Sequence, residues 1–111
     1  MRTTRLEGKE AQTYFDEFTK RYLVNRSPEA VDVEVIGPEF GEQRAVEGAR
    51  LMGISYDARE HTLDIFYGPG DHRLIGAEEV WVREDDNGFV RTIEVVLPEG
   101  DREIINLERM D

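Results

Sequence analysis

The spacing of apolar residues near the amino terminus predicts a helix over about residues 8–23. At 3.6 residues per turn, these residues share one face of that helix: Ala11, Tyr14, Phe15, Phe18 and Tyr22. The sequence offers two possible starts for this helix. Thr4 with Glu7 fits a capping box, and Gly8 fits an N-cap equally well. The apolar stripe needs a surface against which it is buried.

Beyond residue 30 the apolar residues alternate with polar ones, which predicts a series of short β-strands. Val31, Val33 and Val35 share one face of the first strand, and residues 43–47 suit an edge strand. Further strands are predicted at residues 51–56, 63–67, 72–75, 79–83, 89–97 and 102–107. Turn residues separate them, most clearly in the segment 85–88. Because the connections are short, we expect an antiparallel β-meander.

The predicted sheet carries more apolar residues than one helix can cover. Adjacent positions are both apolar in Ile65–Phe66, Val95–Val96 and Ile104–Ile105, so both faces need cover. A helix of about 16 residues is roughly 24 Å long, enough for one face of about four strands. We therefore predict a single α+β domain over residues 1–111, with the helix packed on a strongly curved, mostly antiparallel meander over about residues 30–108. About six to eight strands would form a roll or partial barrel, and a homodimer covering the outer face is the alternative.

Composition and charge exclude several classes of function. The formal net charge of -11 opposes binding to nucleic acid or to an anionic membrane surface. The chain has no cysteine, which excludes disulfides, thiol nucleophiles and iron–sulfur clusters. No apolar run approaches the roughly 20 residues of a membrane helix. We expect a cytoplasmic protein without a cofactor.

The two histidines and their neighbours form a candidate polar site, made of Tyr56, Asp57, His61, Asp71 and His72. An imidazole beside a carboxylate suits acid–base chemistry. His61 and His72, with Asp57, Asp64 or Asp71, would also offer ligands that suit zinc or manganese. However, adjacent residues of a strand point to opposite faces, so Asp71 and His72 should not meet. The structural interpretation is that Asp71 caps the turn and His72 bonds a local backbone group. Because there is no obvious nucleophile and no compact metal motif, we predict no catalytic residue and no metal ligand.

Phe66 and Trp81 form a candidate binding patch. Both have the opposite parity to the expected core residues Ile65 and Val80, so they either face a partner or are buried by a curled sheet. The leading hypothesis is a noncatalytic interaction or regulatory module that holds a protein partner or a second copy on a sheet face or edge. The alternatives are a small-molecule or enzymatic site near His61 and His72, and an acidic mimic of nucleic acid.

Five motifs occur in order along nearly the whole chain: Tyr14–Phe18, Val33–Pro38, Gly53–Asp57, Asp71–His72 and Ile93–Val96. In this order they resemble a family of short bacterial proteins described only as a domain of unknown function. Members often carry a Trp in the first helical turn, where this chain has Ala11. The resemblance implies no catalytic residue, cofactor or substrate.

Overall fold

A computed structural model describes residues 2–25, 29–37, 41–68, 70–86 and 89–109, which form one helix and eight strands. In chain order these are β1 (Arg2–Leu6), α1 (Gly8–Asn25), β2 (Glu29–Gly37), β3 (Gly41–Asp57), β4 (Thr62–Gly68), β5 (Gly70–Ile75), β6 (Glu79–Glu84), β7 (Val90–Val96) and β8 (Arg102–Arg109). A short 3-10 helix (Pro98–Gly100) precedes β8. Part of the predicted turn at residues 85–88, and the side chains of Tyr22, Val31, Val33 and Val35, lie outside the described residues.

The strands form one eight-stranded sheet in the order β1-β6-β7-β8-β2-β3-β4-β5. Each described pair of neighbours is antiparallel, so that prediction is confirmed. The prediction of one consecutive meander is wrong, because β5 and β6 follow each other in the chain without pairing. Two consecutive runs, β2 to β5 and β6 to β8, are joined instead by the pairing of β2 with β8. Within the described part of the chain the sheet stays open, with β1 and β5 as its edges.

The predicted helix is confirmed and extends to Asn25. Of the two predicted starts, Gly8 is the one found, with a φ of 51° that glycine adopts readily. The capping box is not formed, because Thr4 lies in β1 opposite Val82. Three residues of the apolar stripe, Ala11, Phe15 and Phe18, are buried in the core. The helix therefore packs as its periodicity indicates.

Strand β3 changes partner half-way along its length. Among the described residues, β2 pairs with β3 from Gly41 to Arg50, whereas β4 pairs with it from Arg50 to Asp57. At Ile54, on the edge of β3 away from β4, the backbone bonds to α1: the Thr19 hydroxyl donates to the carbonyl of Ile54 at 2.7 Å and accepts its N–H at 3.0 Å. The helix thus supplies at Ile54 the hydrogen bonds that a neighbouring strand would otherwise supply.

The core lies between α1 and one face of the sheet. Paired residues on neighbouring strands share a face, and the buried pair Ile54 and Ile65 marks the face that is covered. The largest fully buried side chains are Phe15, Leu51, Ile54, Leu63, Ile65, Leu74, Ile93, Ile105, Val80 and Val82. We call the opposite side of the sheet, which α1 does not cover, the outer face.

Candidate functional site

Asp71 and His72 lie side by side on the edge strand β5 and point to opposite faces. Asp71 pairs with Phe66 and is exposed on the outer face. His72 pairs with the buried Ile65 and therefore faces the core. The two side chains do not form an acid–base pair, as the alternation of a strand requires.

The partner of His72 is Glu103 on β8. The Nε2 atom of His72 donates a hydrogen bond to Oε1 of Glu103 at 2.6 Å. The His72 side chain is 25% exposed and the Glu103 side chain 7% exposed, so the contact is largely shielded from water. The prediction that His72 bonds a local backbone group is wrong, because this ring nitrogen meets a carboxylate 31 residues away.

The contact with Glu103 favours the charged form of His72. The hydrogen bond to Glu103 raises the pKa of His72, and the negative charges of Glu103 and Asp71 add to this effect, while burial opposes it. A protonated imidazole bonded to a carboxylate is an ion pair. The geometry is that of a structural clamp between β5 and β8.

Sequence reasoning missed Glu103, although the pattern of β8 contains a signal for it. Glu103 has the same parity as the buried Ile105 and Leu107, so it points to the core face. A carboxylate at a core position needs a partner, because burying an unpaired charge costs several kcal/mol. The parity of Glu103 therefore predicts a buried ion pair, and His72 is one of two histidines that could complete it.

The other predicted polar residues are not brought together. Asp57 caps the β3–β4 turn, because its Oδ1 accepts the N–H groups of Arg59 at 2.9 Å and Glu60 at 3.2 Å. His61 is exposed in that turn, with a φ of 51°. Tyr56 is buried, and its burial, with the nearby Asp57, raises its pKa.

Neither a joint histidine site nor a metal centre follows from this arrangement. His61 precedes β4 near the end where Thr62 pairs with Ile75. His72 is level with Ile65, so at about 3.3 Å per residue His61 lies about 13 Å along the strand from the level of His72. Within the part of the chain that the structure describes, no three His, Asp or Glu side chains are grouped closely enough to hold a metal ion.

Phe66 and Trp81 lie on different parts of the outer face. Phe66 on β4 is 41% exposed. Trp81 is on β6, separated from β4 in the sheet by β7, β8, β2 and β3. The Arg5 guanidinium lies 5.8 Å from the centre of the indole, and the indole N–H donates to Glu79 at 3.3 Å. Trp81 is thus half-buried beneath a charged side chain, and Phe66 is left without this cover.

A groove lies beside Phe66, at the boundary between α1 and the outer face. It has a volume of about 350 Å³ and is lined by Asp16, Thr19, Lys20, Met52, Gly53, Ile54, Ser55 and Phe66. Met52 is 51% exposed, so two large apolar side chains lie in water at this one place. A Cβ on Gly53 would lie 3.2 Å from Cγ2 of Thr19, so glycine at this position lets the helix approach closely. The groove is therefore built where α1 meets β3 and β4.

Comparison with known proteins agrees with the sequence motifs. A family model described as a family of unknown function (DUF5335) matches residues 2–111. The chain belongs to this family. An uncharacterized protein of Aquifex aeolicus (strain VF5) is 35% identical to this chain over 109 residues, which span 97% of this chain and 94% of the relative. No solved structure matches the chain.

The DUF5335 match spans both the groove and the clamp of His72 and Glu103, since it covers residues 2–111. The predicted resemblance to an uncharacterised family is confirmed. The helix that the structure describes is not long and apolar enough to cross a membrane.

Proposed function

We propose that this protein is a noncatalytic interaction module that holds a protein partner, or a second copy of itself, on the outer face of β3 and β4 beside α1. The observation that carries the proposal is the exposure of Met52 and Phe66 at the groove of about 350 Å³. Burying one large apolar side chain completely stabilises a complex by about 1.5–3 kcal/mol. Two such side chains with their groove form an anchor for a partner.

The state of the polar residues supports a noncatalytic role. Asp57 is engaged in capping a turn, and His72 is bonded to Glu103. These contacts engage one carboxylate oxygen of Asp57 and one ring nitrogen of His72 in the fold, which favours a structural role for both residues.

A strongly curved sheet is part of the proposal, and the clamp of His72 and Glu103 supports it. In the sheet, β4, β3 and β2 lie between β5 and β8. At about 4.8 Å per strand, a flat sheet would hold β5 and β8 roughly 19 Å apart. The two side chains are nevertheless 2.6 Å apart on the core face. Curvature of this sheet around the core would also turn the groove outward, toward a partner.

Photocrosslinking from within the groove tests the proposal. Phe66 is replaced by p-benzoylphenylalanine in the protein expressed in its native host, and exposed Arg83 on β6 is replaced in the same way as a matched control. We expect a discrete covalent adduct from position 66 that is absent from position 83. Its mass distinguishes a second copy from another protein. The same set of weak adducts from both positions would contradict the proposal. A cytoplasmic location stays a prediction, to be tested by fractionation of the host cells.

A further inference from the structure

Two carboxylates flank the apolar part of the groove. Asp16 lines it from the helix, and Asp71 lies directly opposite Phe66 on the neighbouring strand. Residues opposite each other in an antiparallel pair have Cβ atoms about 4.5–5.5 Å apart, so Asp71 borders Phe66. Among the described residues, neither Asp16 nor Asp71 forms an ion pair, whereas Asp64 bonds Arg73 at 2.8 Å.

The charge around the groove is negative on balance. The charges of Asp16 and Lys20, which line the groove, balance each other, and Asp71 beside Phe66 adds one negative charge at its border. These groups belong to a chain with a formal net charge of -11. A partner that approaches the groove therefore meets a negative potential, locally and from the whole molecule.

The negative potential at the groove favours a positively charged partner over a second copy of this chain. A second copy would bring another -11 charges together with its own Asp16 and Asp71. At physiological salt, the repulsion between like charges is screened only weakly within about 8 Å. This repulsion opposes close packing of two copies at the groove. A segment rich in lysine or arginine gains from the same field and associates faster because of it.

From the apolar side chains and the charge, we infer that the groove binds a basic segment of another protein, in which an aromatic or aliphatic anchor is flanked by lysine or arginine. The anchor packs between Met52 and Phe66, and the flanking cations face Asp16 and Asp71. This mode follows peptide recognition in which an apolar side chain fills a groove and charges set the choice of partner. The inference rests on the proposed function and adds the chemistry of the partner.

Selection from a library of random displayed 12-residue peptides tests the inference. The wild-type protein is the target and its Phe66→Ser variant is the counter-target, with circular dichroism to show that both are folded. We expect the enriched peptides to share an apolar anchor within about three residues of lysine or arginine, and to bind Phe66→Ser at least tenfold more weakly. We expect Asp16→Asn with Asp71→Asn to weaken binding by about tenfold, and added salt to weaken wild-type binding. Glu60→Gln, at an exposed turn position, is the matched control and should leave the affinity unchanged.

The outcomes separate the inference from the proposed function. Enrichment of acidic or uncharged peptides that still need Phe66 would overturn the inference and leave the interaction module standing. A dimer in light scattering that Phe66→Ser dissociates would assign the groove to a second copy and would also overturn it. If the wild-type protein is a monomer and enriches nothing beyond the Phe66→Ser variant, the proposed function fails together with the inference.

Discussion

Replacement of His72 by glutamine tests the clamp between β5 and β8. Glutamine keeps an amide hydrogen-bond donor but cannot carry the positive charge that Glu103 favours. A hydrogen bond to a charged group contributes about 1.5–3 kcal/mol to stability. Because His72 is 25% exposed and Glu103 only 7%, water screens the pair in part, and we take about 2 kcal/mol at low pH. For a chain of 111 residues this corresponds to a fall of about 8 °C in Tm.

The effect of His72→Gln should depend on pH in a definite direction. The pKa of His72 is raised in the folded protein, so the folded state binds the proton more tightly than the unfolded state does. The stabilisation is therefore complete below the ordinary histidine pKa of about 6.5, and it is lost as pH rises through the raised pKa of the folded state. We expect the loss in the variant to be about 2 kcal/mol at pH 5.5 and to become smaller as the pH rises toward 8.5.

Urea unfolding of wild type and variant between pH 5.5 and 8.5 measures this difference. The chain has a single tryptophan, Trp81, whose fluorescence reports unfolding. His61→Asn is the matched control, since His61 is exposed and asparagine tolerates its positive φ. With two histidines and no cysteine, few other groups titrate in this range. A loss of stability in His72→Gln that is constant with pH would refute the ion pair, and so would one that grows with pH.

Two further substitutions test how α1 is held. Thr19→Val removes the hydroxyl that bonds both backbone groups of Ile54, and it should lower the free energy of unfolding by about 2–3 kcal/mol in urea, with exposed Thr13→Val near zero as the control. Equal effects at positions 13 and 19 would contradict the role of Thr19. The Tyr14 hydroxyl is buried and makes no hydrogen bond of good geometry among the described residues, although the Glu84 carboxylate lies near it; burial, with that carboxylate, raises the pKa of Tyr14 to about 12. Tyr14→Phe should therefore change stability by less than about 0.5 kcal/mol, and a loss above about 1 kcal/mol would show that the hydroxyl does bond a partner.

The helix α1 and the strand β4 could be predicted from local sequence pattern, without knowing which elements they pack against or pair with. The stripe containing Phe15 and Phe18 predicted the helix correctly. A helix that buries one face shows apolar residues at a spacing of 3.6 residues, whatever the order of the strands it packs against. The alternation around Ile65 gave β4, and the opposite parity of Phe66 indicated a position on the outer face. These features depend on the spacing of apolar residues and on the residue types found in turns, and both can be recognised from neighbouring positions in the sequence.

Other features depend on contacts between distant residues and were not visible locally. The strand Arg2–Leu6 has five residues without clear alternation, and it is a strand because it pairs with β6. The pairing of β2 with β8 joins the two consecutive runs of strands, and no short turn signals it. The partnership of His72 and Glu103 requires strands that are not neighbours in the sheet to come together. The position of Met52 at the groove could not be predicted from the sequence either. A bulge between Leu51 and Gly53 interrupts the alternation of faces along β3, so the parity of Met52 does not show which face it lies on.

The expected surplus of apolar sheet surface is smaller than the sequence suggested, because long charged side chains cover part of the outer face. Arg5 lies over Trp81. Arg102 bonds Glu94 at 3.2 Å, and Glu94 is the direct cross-strand neighbour of Ile104. The large apolar side chains left exposed in the described residues are Met52, Phe66 and Ile75. Two of the three line the groove, which focuses the proposed interaction on one place.

The most direct test of the interaction surface is a titration of the isotopically labelled protein with the tightest peptide from the selection, followed by amide chemical shifts. The proposed surface predicts that the largest shifts fall at Thr19, Gly53 and Phe66, and that they vanish in Phe66→Ser. Shifts that cluster around Trp81 on β6, or that persist in Phe66→Ser, would place the interaction elsewhere and contradict the account.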